Sequence, residues 1–334
     1  MRSESATMRS ENAAASFINK LFSVKETGVI LITAGFFIVL SIINSSFLSS
    51  SNIVSILVMS SFVGIMATGE SLTIITAGGG IDLSVSSTLG LTGVIIGTLV
   101  ANYHWNDFLA LIPAIGVSIL IGLSNGLIIT KLKMAPFIVT LGTLSVGEGL
   151  SYVISGGWPL SGFSNAFIFN GLGSLWTIPM PIIYMLIVGV AMYLFLHKSL
   201  TGRRLLSIGG NREASKLMGI KIDRIIILAY TLSGFTAGIA GFLMTAWLGV
   251  AQPNAGSGYN LTAIAAAVIG GTSLTGGEGS IIGCIVGAIL LSTITNGLVL
   301  LKVSSFWQEV ATGVIIILAI LFDEFSKRWR LRGV

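Results

Sequence analysis

The sequence predicts an all-α membrane protein of about ten transmembrane helices in two inverted repeats of about five, with short or broken third and eighth spans. Three observations carry this: an extreme apolar composition, a one-sided distribution of basic residues, and a motif that recurs half-way along the chain. Of 334 residues, 53% are hydrophobic and 9% charged, with a mean hydropathy of +0.94, which excludes an ordinary soluble domain. The net charge of +5 is therefore weighed against membrane topology and not against nucleic acid. Cys284, the one cysteine, leaves no partner for an intrachain disulfide or a zinc cluster.

In chain order, residues 1–27 read as a polar cytoplasmic tail carrying Arg2, Arg9, Lys20 and Lys25. The tail lacks the apolar core of a removable signal, so the first span is expected to be retained. A transmembrane domain fills 28–324, and 325–334 form a basic cytoplasmic tail. Apolar runs suited to crossing about 20 residues of bilayer fall at 28–46, 53–77, 85–101, 108–130, 136–154, 179–196, 225–248, 261–274, 281–301 and 310–322. The third and eighth are short and rich in Gly, Ala and Ser, which leaves open whether they cross fully. With the N-terminus inside, seventeen of the eighteen Lys and Arg residues are cytoplasmic. Only Lys302 falls outside, and an odd number of spans would scatter the rest across both faces.

The recurrence is Asn125-Gly126-Leu127 with Lys131 four residues on, repeated as Asn296-Gly297-Leu298 with Lys302, 171 residues later. One lysine lies inside and the other outside, so the two copies run in opposite directions, the pattern of an inverted repeat. A weaker correspondence links Gly79–Ser84 with Gly256–Thr262, each ahead of a short span. Gly-rich polar backbone enters a bilayer only where protein or a water-filled cavity surrounds it. Both segments are therefore placed beside a translocation pathway, with Glu70, Asp82, Asn125, Gln252, Tyr259, Asn260 and Asn296 as its candidate residues. Gly90, Gly93 and Gly97, and Gly283 and Gly287, mark expected close helix contacts.

The stretch 198–224 is the strongly charged loop between two apolar runs, and holds seven basic residues. Within it Asn211 is expected to N-cap a helix of about two turns, Glu213 to sit in its first turn, and Gly219 to end it. Ala214, Leu217 and Met218 fall on one face, with nothing in the loop to cover them.

Machinery for chemistry is sparse. No G-x-x-x-x-G-K-[ST] or H-E-x-x-H motif occurs, and no catalytic residue, cofactor site or metal site is expected in this chain. His104 and His197 lie at opposite faces of the predicted topology and cannot pair on a metal. Intramembrane acids mark ion paths in some carriers, and Glu70, Glu148 and Glu309 qualify by position; Glu70 is the deepest. Asp82 is read as an N-cap of the third span. The segments 155–177, with Trp158 and Trp176, and 249–258 face outward, as interface anchors or as a docking surface.

At Gly79-Gly80-Ile81-Asp82-Leu83-Ser84-Val85, at Gly209-Gly210-Asn211 through Ala214 to Gly219-Ile220, and above all over the run from Gln252 to Gly279, the chain resembles the ribose-type ABC sugar importer permeases. That family also includes autoinducer-2 importer permeases. The resemblance implies a non-enzymatic inner-membrane permease that pairs with a second permease chain. It implies further a cytoplasmic, double-cassette ATPase that carries the ATP and Mg, and an external binding protein that delivers a sugar or sugar-like solute. Asn211, Glu213, Ala214, Leu217, Met218, Gly219 and Ile220 match the family's coupling region. Family members commonly carry acidic residues at the positions of Asn260 and Thr262 and glycine at Ser86, so no solute ligand is carried over there. The rival from another class is a proton-coupled secondary carrier using Glu70 and Glu148.

Overall fold

The computed structural model describes residues 26–76 and 80–332. The expectations for Gly79 and for residues 1–25, 333 and 334 lie outside the described residues. Each predicted apolar run is a helix: α1 (Thr27–Ile43), α2 (Ser50–Ile75), α3 (Val85–Ala101), α4 (Asp107–Lys131), α5 (Pro136–Ser155), α7 (Met180–Lys198), α10 (Ile222–Leu248), α11 (Tyr259–Ile269), α12 (Ile281–Leu300) and α13 (Ser305–Arg332). Six of them, α2, α4, α5, α7, α10 and α12, are long and apolar enough to cross a membrane by length and composition. Helices α1, α3 and α11 are shorter apolar helices, in keeping with the brevity expected of the third and eighth runs.

Three elements were hidden in the connecting segments. Helix α6 (Asn165–Leu172) and a two-residue hairpin, β1 (Ser174–Leu175) with β2 (Ile178–Pro179), lie in the segment read as an outward loop. The charged stretch, read as a loop holding one helix, holds two: α8 (Leu200–Gly210) and α9 (Arg212–Leu217). Because α7 runs from the hairpin to α8, these two accessory groups mark opposite ends of the bundle.

Local sequence sets the helix ends. The Asn106 side chain accepts from Phe108 N–H at the start of α4, Pro136 opens α5, and Gly156 and Gly249 close α5 and α10 in the left-handed region. Ser199 ends α7 and caps α8, its Oγ accepting from Gly202 N–H at 2.9 Å. Asp82 corrects its expectation: the N-cap position of α3 belongs to Ser84. Asp82 sits two residues earlier, accepting through Oδ1 from Ser84 N–H at 3.1 Å and from Ser84 Oγ at 2.6 Å. An aspartate that turns the chain onto itself in this way cannot also reach into the first helical turn.

The core is built on α2 and α10. From Ser60 to Ile75, α2 is buried on all faces, and α10 is buried over most of its length. Helix α10 packs along α4, α2 and α3, while α2 packs along α12, α10 and α11. Helices α1, α4, α5 and α7 instead expose rows of large apolar side chains, among them Ile138, Val146 and Val153 on α5, as expected of helices facing lipid. Small residues set the closest approaches. A Cβ on Gly283 would collide with the Gly270 carbonyl, and one on Gly287 with the Ala266 carbonyl. Along α3, Gly93 meets Thr245 of α10, and Gly97 meets Leu160 and Ala251.

Candidate functional site: a polar cluster and an exposed elbow

Glu70, Asp82 and Asn125, separated widely in sequence, meet in one hydrogen-bond network between α2, the segment entering α3, and α4. Glu70 Oε1 accepts from Asp82 N–H at 2.9 Å, and Asn125 Nδ2 donates to Ser84 Oγ at 2.9 Å. Thr143 Oγ1, from α5, donates to Asn125 Oδ1 at 2.6 Å. Glu70, Asp82 and Asn125 are fully buried. Two residues of α10, Tyr230 and Ser233, are fully buried next to the network, where Gly69 of α2 abuts the Ser233 backbone and Gly122 of α4 the Tyr230 carbonyl. Glu70 Oε2, Asp82 Oδ2, Tyr230 Oη and Ser233 Oγ have no hydrogen-bond partner among the described residues.

The other candidates lie elsewhere. Gln252 belongs to the segment between α10 and α11, which rests on the first turns of α3, while Tyr259 and Asn260 open α11. There Gly256 abuts the Ser86 carbonyl and Gly90 approaches the Pro253 carbonyl. Asn296 stands near the end of α12 in a reciprocal amide pair with Asn52 of α2, at 3.0 and 2.8 Å. Glu148 is half-buried on α5 and takes no part in the Glu70 network, and Glu309 is exposed.

On the α8 side, a cleft of about 380 Å³ is lined by Thr76, Gly80, Lys133, Arg212, Asp223 and Tyr230. At its rim Lys131 pairs with Asp223 at 3.2 Å. Both side chains are about half exposed, so this pair adds little stability.

An elbow is formed by α8 and α9. Asn211 caps α9, accepting from Ala214 N–H at 2.9 Å. At the other end Gly219 has φ +74°, with Gly219 N–H bonded to the Lys216 carbonyl at 3.0 Å and Ile220 N–H to the Ser215 carbonyl at 3.1 Å. These two bonds are the Schellman closure. Glu213 lies in the first turn, and Leu217 and Met218 are 89% and 65% exposed. The elbow is seated firmly on its other face. Ser207 and Ser215 hydroxyls stand 3.2 Å apart, and Gly209 packs against the Ile75 carbonyl and Gly277 so closely that any side chain there would collide. Gly277 N–H in turn donates to the Ile75 carbonyl at 3.0 Å. One point therefore joins the elbow, the end of α2 and the glycine-rich turn after α11.

A model of the family described as branched-chain amino acid transport system / permease component matches residues 52–320. The chain belongs to that family. Among named relatives of this permease, the ribose import permease protein RbsC of Bacillus subtilis is 42% identical over 86% of this chain and 88% of its own. The D-allose transport system permease protein AlsC of Escherichia coli is 36% identical over 84% and 86%. The L-arabinose ABC transporter permease protein AraH of Azospirillum brasilense is 32% identical over 92% and 90%. No solved structure matches. The resemblance to ribose-type ABC importer permeases drawn from the 252–279 run thus holds over most of the chain, and the chain is a multi-pass membrane protein.

Tyr230, Ser233 and Thr143 escaped the sequence reading. The signal was present in Tyr230-x-x-Ser233, two polar side chains on one face of an otherwise apolar helix. Both residue types are ordinary in membrane spans, and nothing local shows what they face.

Proposed function

We propose that this chain is the transmembrane subunit of an ATP-driven importer for a sugar or sugar-like small solute, set in the inner membrane with both termini cytoplasmic. ATP and Mg would be bound by a separate cytoplasmic subunit, a double cassette. Solute would arrive from an external binding protein, and a second permease chain would complete the pathway. The observation that carries this is the elbow: α9 presents exposed Leu217 and Met218 outward, while α8 is wedged against the end of α2, a helix of the buried core. A groove on the ATPase that grips α9 would therefore pull on the core and not on a free loop. The relatives' names, which specify ribose, D-allose and L-arabinose, support the solute class.

The ten-span inverted arrangement belongs to the same proposal. Offsetting the chain by one repeat maps α2–α5 onto α10–α13, and the packing follows: α10 lies along α4 as α2 lies along α12, and α3 meets α5 as α11 meets α13. The glycine-rich segments before α3 and α11 then flank the pathway as a pair.

The test is uptake of labelled ribose, allose and arabinose into proteoliposomes holding this chain with its ATPase, supplied with the binding protein. Uptake of one of them is expected only with ATP and all components. Uptake by the chain alone, driven by a proton gradient, would sink the proposal and establish the rival carrier. The rival already lacks a path joining its acids, since Glu148 stands outside the Glu70 network.

A further inference from the structure

We infer that two adjoining basic clefts, at the ends of α4, α5 and α10 beside α9, form a binding site for the phosphate headgroup of an anionic phospholipid. The argument begins with where the cations stand. The cleft of about 380 Å³ has Lys133 and Arg212 in its wall. A second cleft, of about 470 Å³, shares Arg212 and Asp223 with the first and adds Lys131, Lys216, Lys221 and Arg224. Against these six cations the clefts hold two acids, Asp223 and Glu213, and Asp223 is already engaged by Lys131 at 3.2 Å. The Lys133 and Arg212 side chains make no ion pair or hydrogen bond among the described residues. Membrane topology accounts for the face on which basic residues collect. It does not account for their gathering, from several elements, around one pair of hollows.

Backbone and flank add to this. Lys133 follows the C-cap of α4, Leu132, with φ +55°, a left-handed conformation that glycine adopts at less cost than any residue with a Cβ. A charged side chain is thus kept at the mouth of the cleft where the backbone favours none. The flank of the cleft is apolar. Leu132, Met134, Phe137 and Ile138 are exposed, and beyond them the exposed row of α5 runs on through Leu141, Val146 and Val153. Cations and apolar side chains therefore adjoin in the order in which a phospholipid presents its phosphate and its acyl chains. An acidic protein segment would match the cations alone. Basic hollows between membrane helices are the form that headgroup sites take.

The full-length chain in neutral detergent is to be titrated with short-chain phosphatidylglycerol, with phosphatidylcholine of the same chain length and with glycerol 1-phosphate, its melting temperature being followed throughout. Phosphatidylglycerol is expected to raise the melting temperature and to saturate, since a ligand of the folded state stabilises it by mass action. It should do so at concentrations at least about tenfold lower than either of the others. Lys133→Gln and Arg212→Gln are each expected to weaken its apparent affinity about fivefold, the worth of one basic residue at an anionic lipid surface. Arg204→Gln removes an exposed charge outside both clefts and should change the affinity less than about twofold. Lys133→Gly separates the site from folding: it suits the left-handed backbone, so it is expected to fold at least as stably as the unaltered chain and still to lose affinity for phosphatidylglycerol. Equal affinity for phosphatidylcholine, or equal losses in Arg204→Gln and Lys133→Gln, overturns the site. So does saturation by glycerol 1-phosphate at the same concentration, which would assign the clefts to a soluble phosphate. Lipid affinity unchanged in both cleft variants, beside weakened binding of the ATPase, overturns it as well and assigns the clefts to that partner.

Discussion

Asn125 and Asn296 occupy the same place in the recurring motif yet do different work. Asn125 uses both ends of its amide, donating to Ser84 and accepting from Thr143, in a fully buried position. Asn296 trades two bonds with a single amide, Asn52, and is only partly buried. Hydrogen bonds between membrane helices average about 0.6 kcal/mol, whereas stranding a buried polar group costs about 1–3 kcal/mol. Enclosure decides which figure applies. Asn125→Ala removes two bonds and leaves a void sealed from water, although Thr143 Oγ1 keeps the Val139 carbonyl and Ser84 Oγ keeps Asp82 Oδ1; it is expected to destabilise the chain by about 2 kcal/mol. Asn296→Ala is expected to cost less than about 1 kcal/mol, because Asn52 can turn toward solvent or lipid headgroups. Unfolding titrations of the two variants check this, and equal losses would contradict it. Glu70, Asp82 and Asn125 were legible in the sequence because a carboxyl or amide inside an apolar run stands out. Their assembly into one network was not, since it depends on how the turn before α3 seats between α2 and α4, which no local pattern encodes.

At the scale of elements, what was legible was what is local. The limits of α9 follow from Asn211 and Gly219, whose capping roles depend on a few neighbouring backbone groups. Helix α8 was missed because its charges hid an ordinary amphipathic pattern: Leu205 and Ile208 are buried one turn apart, and Arg203 and Arg204 lie on the opposite side. The α9 face offers a clean separation of folding from coupling. Leu217 touches so little of its own chain that Leu217→Asp is expected to alter stability by no more than about 0.5 kcal/mol. The same change places a charge in the proposed ATPase groove, so ATP-driven uptake should fall at least about tenfold, a loss of roughly 1.4 kcal/mol at that contact. Melting curves and uptake rates measured on the same preparation test both halves. Normal uptake by Leu217→Asp would remove α9 from the coupling path. Unchanged uptake beside a large drop in melting temperature would show that the side chain is needed for folding instead.

At the scale of the whole molecule, the proposed inverted arrangement rests on one asymmetry, the placement of Lys131 and Lys302. Both lysines follow an Asn-Gly-Leu triplet at the same spacing, and both triplets bring a glycine against a neighbouring helix: Gly126 against Ile227 of α10, and Gly297 against Leu40 of α1. If the two halves ran in the same direction, both lysines would emerge on one face. The seventeen-to-one division of basic residues would then break down, because α7, α10 and α12 would have to carry their flanking charges to the other side. Single cysteines at the two positions decide the matter. The native Cys284 is buried and is replaced by Ala in the background, a change of little volume beside Gly283. In intact cells a membrane-impermeant maleimide is expected to label Lys302→Cys and to leave Lys131→Cys unlabelled until the membrane is opened. Lys131 and Lys302 are both exposed at helix ends, so poor labelling cannot be ascribed to burial. Labelling of both from the same side would rule out an inverted repeat. It would also move α8 and α9 to whichever face Lys131 occupies, because Lys131 pairs with Asp223 just beyond the elbow. The placement of one lysine thus fixes the face on which any ATPase has to dock.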